Sequence, residues 1–289
     1  MISNYLNLIK FTYFGLWISY IMRKFTIYSL IKNKIKTKDT LENKYKIRRE
    51  DGYKVLDLDD KKELHDTLNF VKKKYTIDYI LTNNKTKSKQ NTLNIVDVDL
   101  NDERNLPIKK LCLNEYLISA VSEYLKAVPI LFNVQVWYSP NVENKDLIGS
   151  QLYHFDREDF RQIKCFIPLE DIDNDSGPLT LISSKNSKKF IFKNLLKLKL
   201  ISSKGRFTDN EINSAFKKNV ELPLKCKTGQ IALIDTTQCL HFGSRPSKKY
   251  KYHITIQYLS PYSTKLDSIS KKFSSAKTFN DLVLVNYKN

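Results

Sequence analysis

The sequence predicts a mainly β protein of mixed α+β class, with a double-sheet jelly-roll core and helices that buttress one sheet. Three observations support this fold class. Short apolar or alternating segments recur between residues 132 and 258 and are separated by turn residues, as in sandwiches and barrels. Amphipathic helical spacing is concentrated in the first 125 residues. The length of 289 residues suffices for one large domain of this kind.

Between residues 46 and 125 the pattern predicts one strand followed by two helices. The strand covers 53–58 and is followed by a helix, capped by Asp59 or Asp60, that runs to about residue 75. The second helix covers 113–125. Residues 76–108 are polar and are expected to be irregular, apart from a short strand near 93–98.

The strands of the core follow, and the domain is expected to span 46–265. The predicted strands are 132–138, 150–156, 163–169, 179–182, 230–235 and 251–258. A Lys-rich excursion, with one short helix at 209–217, forms a variable insert over about 183–228. Residues 266–289 are expected to be a C-terminal tail.

The first 45 residues form a predicted helical segment outside the core. Residues 5–22 are mostly apolar, but the uninterrupted part, Phe11–Met22, is too short to span a bilayer. No small-residue cleavage site follows, so we expect no signal peptide. We expect a helix packed on the domain. The alternative is peripheral membrane association through residues 5–24.

The composition indicates a folded protein with a basic surface. The formal net charge is +18, from 49 Lys and Arg against 31 Asp and Glu. The lysines are scattered and no recognised nucleic-acid motif is present, so we expect a solvated basic surface and no specific nucleic-acid partner. The four cysteines form no CxxC pair, which favours buried thiols in a reducing, cytoplasmic compartment.

A histidine and a carboxylate stand two residues apart in the predicted strand that contains Gln151. Side chains two apart on a strand share a face, so His154 and Asp156 are candidate ligands of one metal. The best third candidate is His241, 87 residues downstream (241 − 154), which leaves enough chain for an antiparallel return. Two histidines and one carboxylate suit non-haem Fe(II), because positions stay open for a co-substrate and O₂.

The co-substrate expected at such a site, 2-oxoglutarate, is a dianion and needs a buried cation. The last strand places its polar residues on one face, which is unusual unless that face lines a cavity: Lys251, His253, Thr255 and Gln257. Lys251 is therefore one candidate anchor. Arg245 is the other, since arginine pairs with carboxylates bidentately, although its Gly-Ser-Arg-Pro turn favours solvation.

These segments resemble the phytanoyl-CoA dioxygenase family of Fe(II)- and 2-oxoglutarate-dependent oxygenases. The resemblance runs from residue 50 to about 260 and is densest at 153–156, 167–169, 176–183 and 235–258. It implies a cupin-like double-stranded β-helix in which His154, Asp156 and His241 bind iron. It also implies that Lys251, ten residues after His241, binds the far carboxylate of 2-oxoglutarate. The family usually has arginine there, and its Gly-Ser-His is replaced by Ser-Lys-Asn at 184–186.

The resemblance implies hydroxylation of a C–H bond in a small-molecule or lipid-like substrate, with release of succinate and CO₂. Halide-transferring members lack the carboxylate that Asp156 supplies. Gln135, Trp137 and Gln151 are candidates to line the pocket, and Gln151 and Thr180 are candidate cofactor contacts. The basic surplus favours an anionic or carrier-linked substrate, and we expect a monomer or a homodimer.

Two other functional classes stay open at this point. One is a cupin-like protein that keeps the metal site but binds a ligand without turnover. The other is a basic membrane-surface or nucleic-acid-binding protein.

Overall fold

A computed structural model shows the predicted arrangement of two antiparallel sheets. It describes residues 13–31, 43–84, 93–141, 147–194, 205–216, 218–245 and 247–287. The strands are β1 (Tyr53–Leu56), β2 (Asn94–Asp97), β3 (Ile130–Ser139), β4 (Tyr153–His154), β5 (Gln162–Pro168), β6 (Thr180–Ile182), β7 (Arg206–Phe207), β8 (Glu221–Pro223), β9 (Ile231–Ile234), β10 (His241–Phe242) and β11 (Lys251–Leu259). One sheet has the order β1-β9-β5-β11-β3-β2, and the other has the order β7-β4-β10-β6-β8.

The helices lie mainly before β3 and at the chain ends. They are α1 (Tyr13–Ile31), α2 (Lys62–Lys74), α3 (Ile77–Asn83), α4 (Leu106–Cys112), α5 (Glu115–Leu125), α6 (Ser184–Asn194), α7 (Asp209–Ala215) and α8 (Phe279–Val283). Short 3₁₀ segments lie at Asn43–Tyr45, Glu103–Asn105, Gly149–Gln151, Asn174–Ser176, Thr264–Phe273 and Val285–Tyr287.

The two faces of the six-stranded sheet differ in chemistry because side chains alternate along each strand. On β11, one set of side chains joins the largest hydrophobic cluster: Tyr252, Ile254, Ile256 and Tyr258. The alternate set, which begins with Lys251 and His253, faces the second sheet and includes two residues that line a cavity between the sheets. The polar face predicted for the last strand is therefore an interior face.

Helices α2, α4 and α5 cover the outer face of the six-stranded sheet. The apolar residues that recur every three or four positions along α2 and α5 are all buried: Leu64, Leu68, Val71, Leu117, Val121 and Leu125. Asn114 is the N-cap of helix α5, and its side-chain oxygen accepts a 3.2 Å hydrogen bond from the backbone N–H of Leu117. These helices are the predicted buttress of one sheet.

Two regions contain more regular structure than the sequence predicts. Residues 76–108 hold α3 and the start of α4 besides the predicted strand β2, and residues 183–225 hold α6, β7 and β8 besides the predicted helix α7. The expectation that 76–108 is irregular was wrong for α3, and the sequence predicted no regular structure for α6, β7 and β8. Helix α3 has only seven residues and buries only Ile80 among them. So few buried positions give no detectable helical period.

Both ends of the described chain pack on the core. Helix α1 contacts the domain through Tyr20, whose ring lies 5.5 Å from that of Phe160 and 5.2 Å from that of Tyr262. Beyond residue 265, Phe273 and Leu282 are fully buried in the largest hydrophobic cluster. None of the described helices is long and apolar enough to cross a membrane.

Candidate metal centre

The centre is built on the pairing of two very short strands. In the antiparallel pair of β4 and β10, His154 lies directly opposite His241. Residues opposite each other in such a pair have close side chains, and the two imidazole ring centroids are 4.4 Å apart. The pairing of these two strands therefore brings together two histidines that are 87 residues apart in the sequence.

The third member, Asp156, lies just beyond the end of β4. The predicted strand 150–156 is shorter than expected, because a 3₁₀ turn that starts at Gly149, with φ of 55°, precedes it. Asp156 is held by its backbone N–H, which donates a 3.0 Å hydrogen bond to the carbonyl of Thr236, close before β10. The prediction that Asp156 belongs to the same strand as His154 was wrong, because β4 ends at His154. The two side chains nevertheless converge.

These three side chains form the only group of His, Cys, Asp and Glu suited to a metal ion within the described part of the chain. One ligand atom of each lies within 4.8 Å of the others. The distance from His154 Nε2 to Asp156 Oδ1 is 3.9 Å. Facial coordination by two histidines and one carboxylate needs this convergence.

Backbone carbonyls fix which nitrogen each imidazole offers. The Nδ1 atom of His154 lies 2.9 Å from the carbonyl of Leu152, and the Nδ1 atom of His241 lies 2.9 Å from the carbonyl of Cys239. A carbonyl only accepts, so each Nδ1 carries the proton and each Nε2 is left as the ligand nitrogen. This is the outer-shell arrangement that orients metal-binding histidines.

A buried lysine holds the carboxylate of the group. The Nζ atom of Lys164 lies 2.7 Å from Asp156 Oδ2, and both side chains are only 13% exposed. The amide of Gln162 donates a longer 3.3 Å hydrogen bond to the same oxygen. Because both donors take Oδ2, Oδ1 is the oxygen left on the side of the two histidines.

The electrostatics keep all three ligands in the forms that bind metal. Burial lowers the pKa of His154, and burial followed by the charge of His154 lowers the pKa of His241 to about 3. Burial alone would raise the pKa of Asp156, but the Lys164 ammonium and then the two histidines outweigh it and hold that pKa well below its usual range. At neutral pH the site therefore offers two neutral imidazoles and one carboxylate.

A cavity of about 100 Å³ opens from these ligands between the sheets. Its apolar wall consists of side chains from several segments: Leu93, Trp137, Phe166, Pro168, Ile172, Leu179, Leu224, Cys226 and Ala232. Its polar lining, besides the three ligands, is Ser150, Lys164, Ser244, Lys251 and His253. Residues 76–110 and 183–225 contribute only Leu93 and Leu224 among the described lining residues.

Lys251 and His253 form a polar patch inside this cavity. The Nζ atom of Lys251 donates a 2.8 Å hydrogen bond to the carbonyl of Gly177, and burial lowers its pKa to about 8. Both ring nitrogens of His253 are buried without a hydrogen-bond partner among the described residues. Buried polar atoms left unpaired in this way call for a bound polar group or water.

The rival anchor, Arg245, is engaged elsewhere and does not line the cavity. Its guanidinium makes two hydrogen bonds, of 3.0 and 2.6 Å, to the carboxylate of Asp209, and its Nε donates to the carbonyl of Gln151. It also lies 3.3 Å from the centroid of the Phe242 ring. These contacts occupy the guanidinium N–H groups that would otherwise pair with a ligand carboxylate.

The remaining predicted contacts have structural partners. The side chain of Gln151 bridges the backbone N–H of Ile148 and the carbonyl of Ser244. The Thr180 hydroxyl lies 3.4 Å from the carbonyl of Pro178. Gln135 accepts a hydrogen bond from Trp137 Nε1 and donates one to Asp97. Of the predicted pocket residues, only Trp137 lines the cavity.

Sequence reasoning missed Lys164. The signal was present, since Lys164 interrupts an otherwise apolar strand and alternates with Phe166 and Pro168 on the cavity side. The opposite face of the strand carries fully buried apolar side chains: Ile163, Cys165 and Ile167. A lysine at an interior position of a buried strand indicates a buried anionic partner.

Solved structures share this fold. EctD from S. alaskensis with 2-oxoglutarate and 5-hydroxyectoine matches with 12% identity and a TM-score of 0.54, over 80% of this chain and 81% of that chain. The same protein with bound Fe matches with 12% identity and a TM-score of 0.52, over 80% and 82%. The non-haem alpha-ketoglutarate-dependent epimerase SnoN matches with 13% identity and a TM-score of 0.48, over 76% and 81%.

The likeness to EctD, with TM-scores above 0.5 at 12% identity, shows the double-stranded β-helix fold alone. Comparison with family models gives no match, and comparison with curated protein sequences gives none either.

We predict that Asp156→Ala and His241→Ala each abolish stoichiometric binding of Fe(II) or Co(II), because two remaining ligands cannot hold the ion on one face. Anaerobic equilibrium dialysis measures the metal content. His65→Ala is the matched control, because His65 is exposed on α2 and belongs to no metal group. Full metal content in either ligand variant would mean that the site is assigned wrongly.

A second prediction concerns the pair of Lys164 and Asp156. Lys164→Met leaves the Asp156 carboxylate buried and uncompensated, so the metal-free protein should lose about 3 kcal/mol of unfolding free energy. The double variant Asp156→Asn with Lys164→Met should lose clearly less than the sum of the single losses. Urea unfolding of the four proteins measures this coupling, and additive losses would show that the two side chains do not interact.

Proposed function

We propose that this protein is an Fe(II)- and 2-oxoglutarate-dependent oxygenase that hydroxylates a C–H bond of a small-molecule or lipid-like substrate and releases succinate and CO₂. The observation that carries the proposal is the convergence of His154, Asp156 and His241 at one end of a cavity that also contains the buried Lys251. The fold shared with EctD, whose solved structures contain Fe or 2-oxoglutarate, supports it.

The donor set fits iron. Both imidazoles present Nε2, Asp156 presents Oδ1, and three donors on one side leave open positions for two oxygens of a keto acid and for O₂. Bound Fe(II) would supply the activation of O₂ that no protein side chain provides. The contribution of the chain is to orient the ligands through Leu152, Cys239 and Lys164, and to exclude water with the apolar cavity wall.

The charges of the site fit one divalent metal together with one dianion. Near the centre lie two ammonium groups, Lys164 and Lys251, and two carboxylates, Asp156 and Glu158; Glu158 lies outside the cavity lining, but its charge acts on Lys164. These four charges cancel (+2 − 2 = 0). A divalent metal would add two positive charges and the 2-oxoglutarate dianion would remove them, so the loaded site would be neutral. Low net charge matters here because the site is buried.

Lys251 is our proposed anchor for the far carboxylate of 2-oxoglutarate. It lies in the cavity lining, whereas the guanidinium of Arg245 is paired with Asp209. The unpaired nitrogens of His253, two residues further along the same face, offer an additional hydrogen bond to the same carboxylate. Gln151 and Thr180 act in this proposal by shaping the loops around the cavity.

The apolar wall favours a substrate with a hydrocarbon portion beside the metal. Ile172, Leu179 and Leu224 contribute aliphatic side chains to the cavity lining, and Trp137 adds an aromatic surface. The exposed basic surplus of the chain favours an anionic group or a carrier on the part of the substrate outside the cavity.

The proposal predicts that the purified protein converts 2-oxoglutarate to succinate when Fe(II), ascorbate and O₂ are supplied, at least slowly without the true substrate. Quantifying succinate by mass spectrometry tests this, with Asp156→Ala as the inactive control and His65→Ala as the active one. If the wild-type protein binds metal and 2-oxoglutarate but produces no succinate with any substrate pool, the chain is a cupin-like binding protein without turnover.

The proposal also predicts a defined pH dependence of 2-oxoglutarate binding. Lys251 must be protonated to bind a carboxylate, and its pKa in the free protein is lowered to about 8. Affinity should be nearly constant below pH 7.5 and should fall up to about tenfold per pH unit above 8, because binding then requires uptake of a proton. Calorimetric titrations at pH 7 and pH 9, with Mn(II) in place of iron, measure this.

Two substitutions separate the charge of Lys251 from its packing. Lys251→Arg should bind 2-oxoglutarate with little change between pH 7 and pH 9, since arginine stays protonated. Lys251→Met should bind weakly at both pH values but keep its Mn(II). A Lys251→Met protein that binds 2-oxoglutarate as tightly as the wild type would show that the anchor is another residue.

A further inference from the structure

Helix α1 exposes a large apolar surface to solvent. Its exposed hydrophobic side chains are Trp17, Ile18, Met22, Phe25 and Tyr28, with Met22 65% and Phe25 80% exposed. At 100° per residue these side chains fall within an arc of about 140°. They therefore form one continuous stripe along the helix, which we call the outer stripe.

The opposite side of α1 is already occupied by the domain. Ile27 and Ile31 are buried in the largest hydrophobic cluster. Tyr20 packs against the rings of Phe160 and Tyr262, and Arg23 Nε donates a 2.9 Å hydrogen bond to the carbonyl of Tyr262. Among the described residues, the outer stripe thus points away from these contacts of Tyr20, Arg23, Ile27 and Ile31.

A helix docked on a domain normally turns polar residues outward. Helix α1 is instead apolar on two opposite sides, and exposed aromatic and aliphatic side chains in one continuous patch mark an interaction surface. The helix has no acidic residue in its first turn, and Lys24 lies at the edge of the stripe. These features are typical of helices that lie in the plane of a membrane interface.

Charge distinguishes an anionic membrane from a second copy of the chain. The sequence contains no Asp or Glu before Asp39, whereas this part of the chain holds several basic residues: Lys10, Arg23, Lys24, Lys32, Lys34, Lys36 and Lys38. Next to α1, the 3₁₀ segment Thr264–Phe273 exposes Lys265, Lys271 and Lys272, and its one acidic residue, Asp267, is paired with Arg23. Two such surfaces would repel each other, whereas anionic headgroups would attract both the basic residues and the +18 chain.

We propose that the outer stripe of α1 docks this protein on anionic phospholipid membranes, with the aromatic side chains in the interface and the neighbouring lysines against the headgroups. The helix lies flat, because the rest of the domain is fixed to its opposite side. The surface is separate from the metal centre, so this docking and the proposed oxygenase activity stand or fall independently.

The test uses the full-length protein and vesicles of two compositions, pure phosphatidylcholine and a 70:30 mixture of phosphatidylcholine and phosphatidylserine. We expect co-sedimentation with the anionic vesicles, weakened by salt, and much less with the neutral ones. The double variant Met22→Ser with Phe25→Ser should bind at least about tenfold more weakly, because two side chains that enter the interface are lost. Phe192→Ser is the matched control, since Phe192 is also exposed, on α6.

Fluorescence reports on the stripe itself. The chain has two tryptophans, so the Trp137→Phe variant leaves Trp17 as the only one. Its emission should shift to the blue when anionic vesicles are added and should be quenched by brominated lipid. No shift and no sedimentation would overturn the proposal, as would equal binding of the stripe variant and the wild type.

The competing occupants give distinct results. A second copy on the stripe would appear in light scattering as a dimer that Met22→Ser with Phe25→Ser dissociates. Coverage by another segment of the same chain would give Trp17 a blue-shifted emission before any lipid is added, with no change afterwards. Either result would overturn the membrane proposal.

Discussion

The candidate site depends on one register between two strands of two residues each. His241 lies directly opposite His154 in the pair of β4 and β10. Two histidines that are 87 residues apart in the sequence (241 − 154) therefore come within metal-binding distance of each other. A slip of one residue would turn one ring to the other side of the sheet. The hydrogen bond from the N–H of Asp156 to Thr236 then ties the third ligand to the turn before β10. The turn at residues 235–240, which leads into β10, is buried and supports these short strands.

The same arrangement explains how a charged centre is tolerated inside a sandwich. Asp156 has a permanent partner in Lys164, and the two imidazoles are neutral because burial lowers their pKa values. The three candidate ligands therefore carry no uncompensated charge before any metal binds. The second lysine of the cavity, Lys251, lies on β11, which is the neighbour of the Lys164 strand β5 in the same sheet, so that the site can receive a dianion without a new protein charge having to be buried.

Much of the fold and the three candidate ligands could be predicted from the sequence, because they produce local signals. Strand alternation on β3 and β11 and the spacing of Leu64, Leu68 and Val71 on α2 reflect burial directly. The two-residue spacing of His154 and Asp156 pointed to candidate ligands that the structure brings together, even though β4 ends at His154. Helices α3 and α4 escaped because each is seven residues long, about two turns, which is too short for a clear helical period. The partner of Arg245 could not be foreseen, since Asp209 lies in a region whose placement depends on tertiary contacts.

The central claim is that three protein side chains hold iron so that 2-oxoglutarate can chelate it from the cavity. Anaerobic absorption spectroscopy tests this directly, because a keto acid bound to Fe(II) through two oxygens gives a visible charge-transfer band. The account predicts that the band appears in the wild-type protein on addition of 2-oxoglutarate, saturates at one equivalent, and is absent in Asp156→Ala. A wild-type protein that retains Fe(II) but shows no such band at saturating 2-oxoglutarate would contradict it.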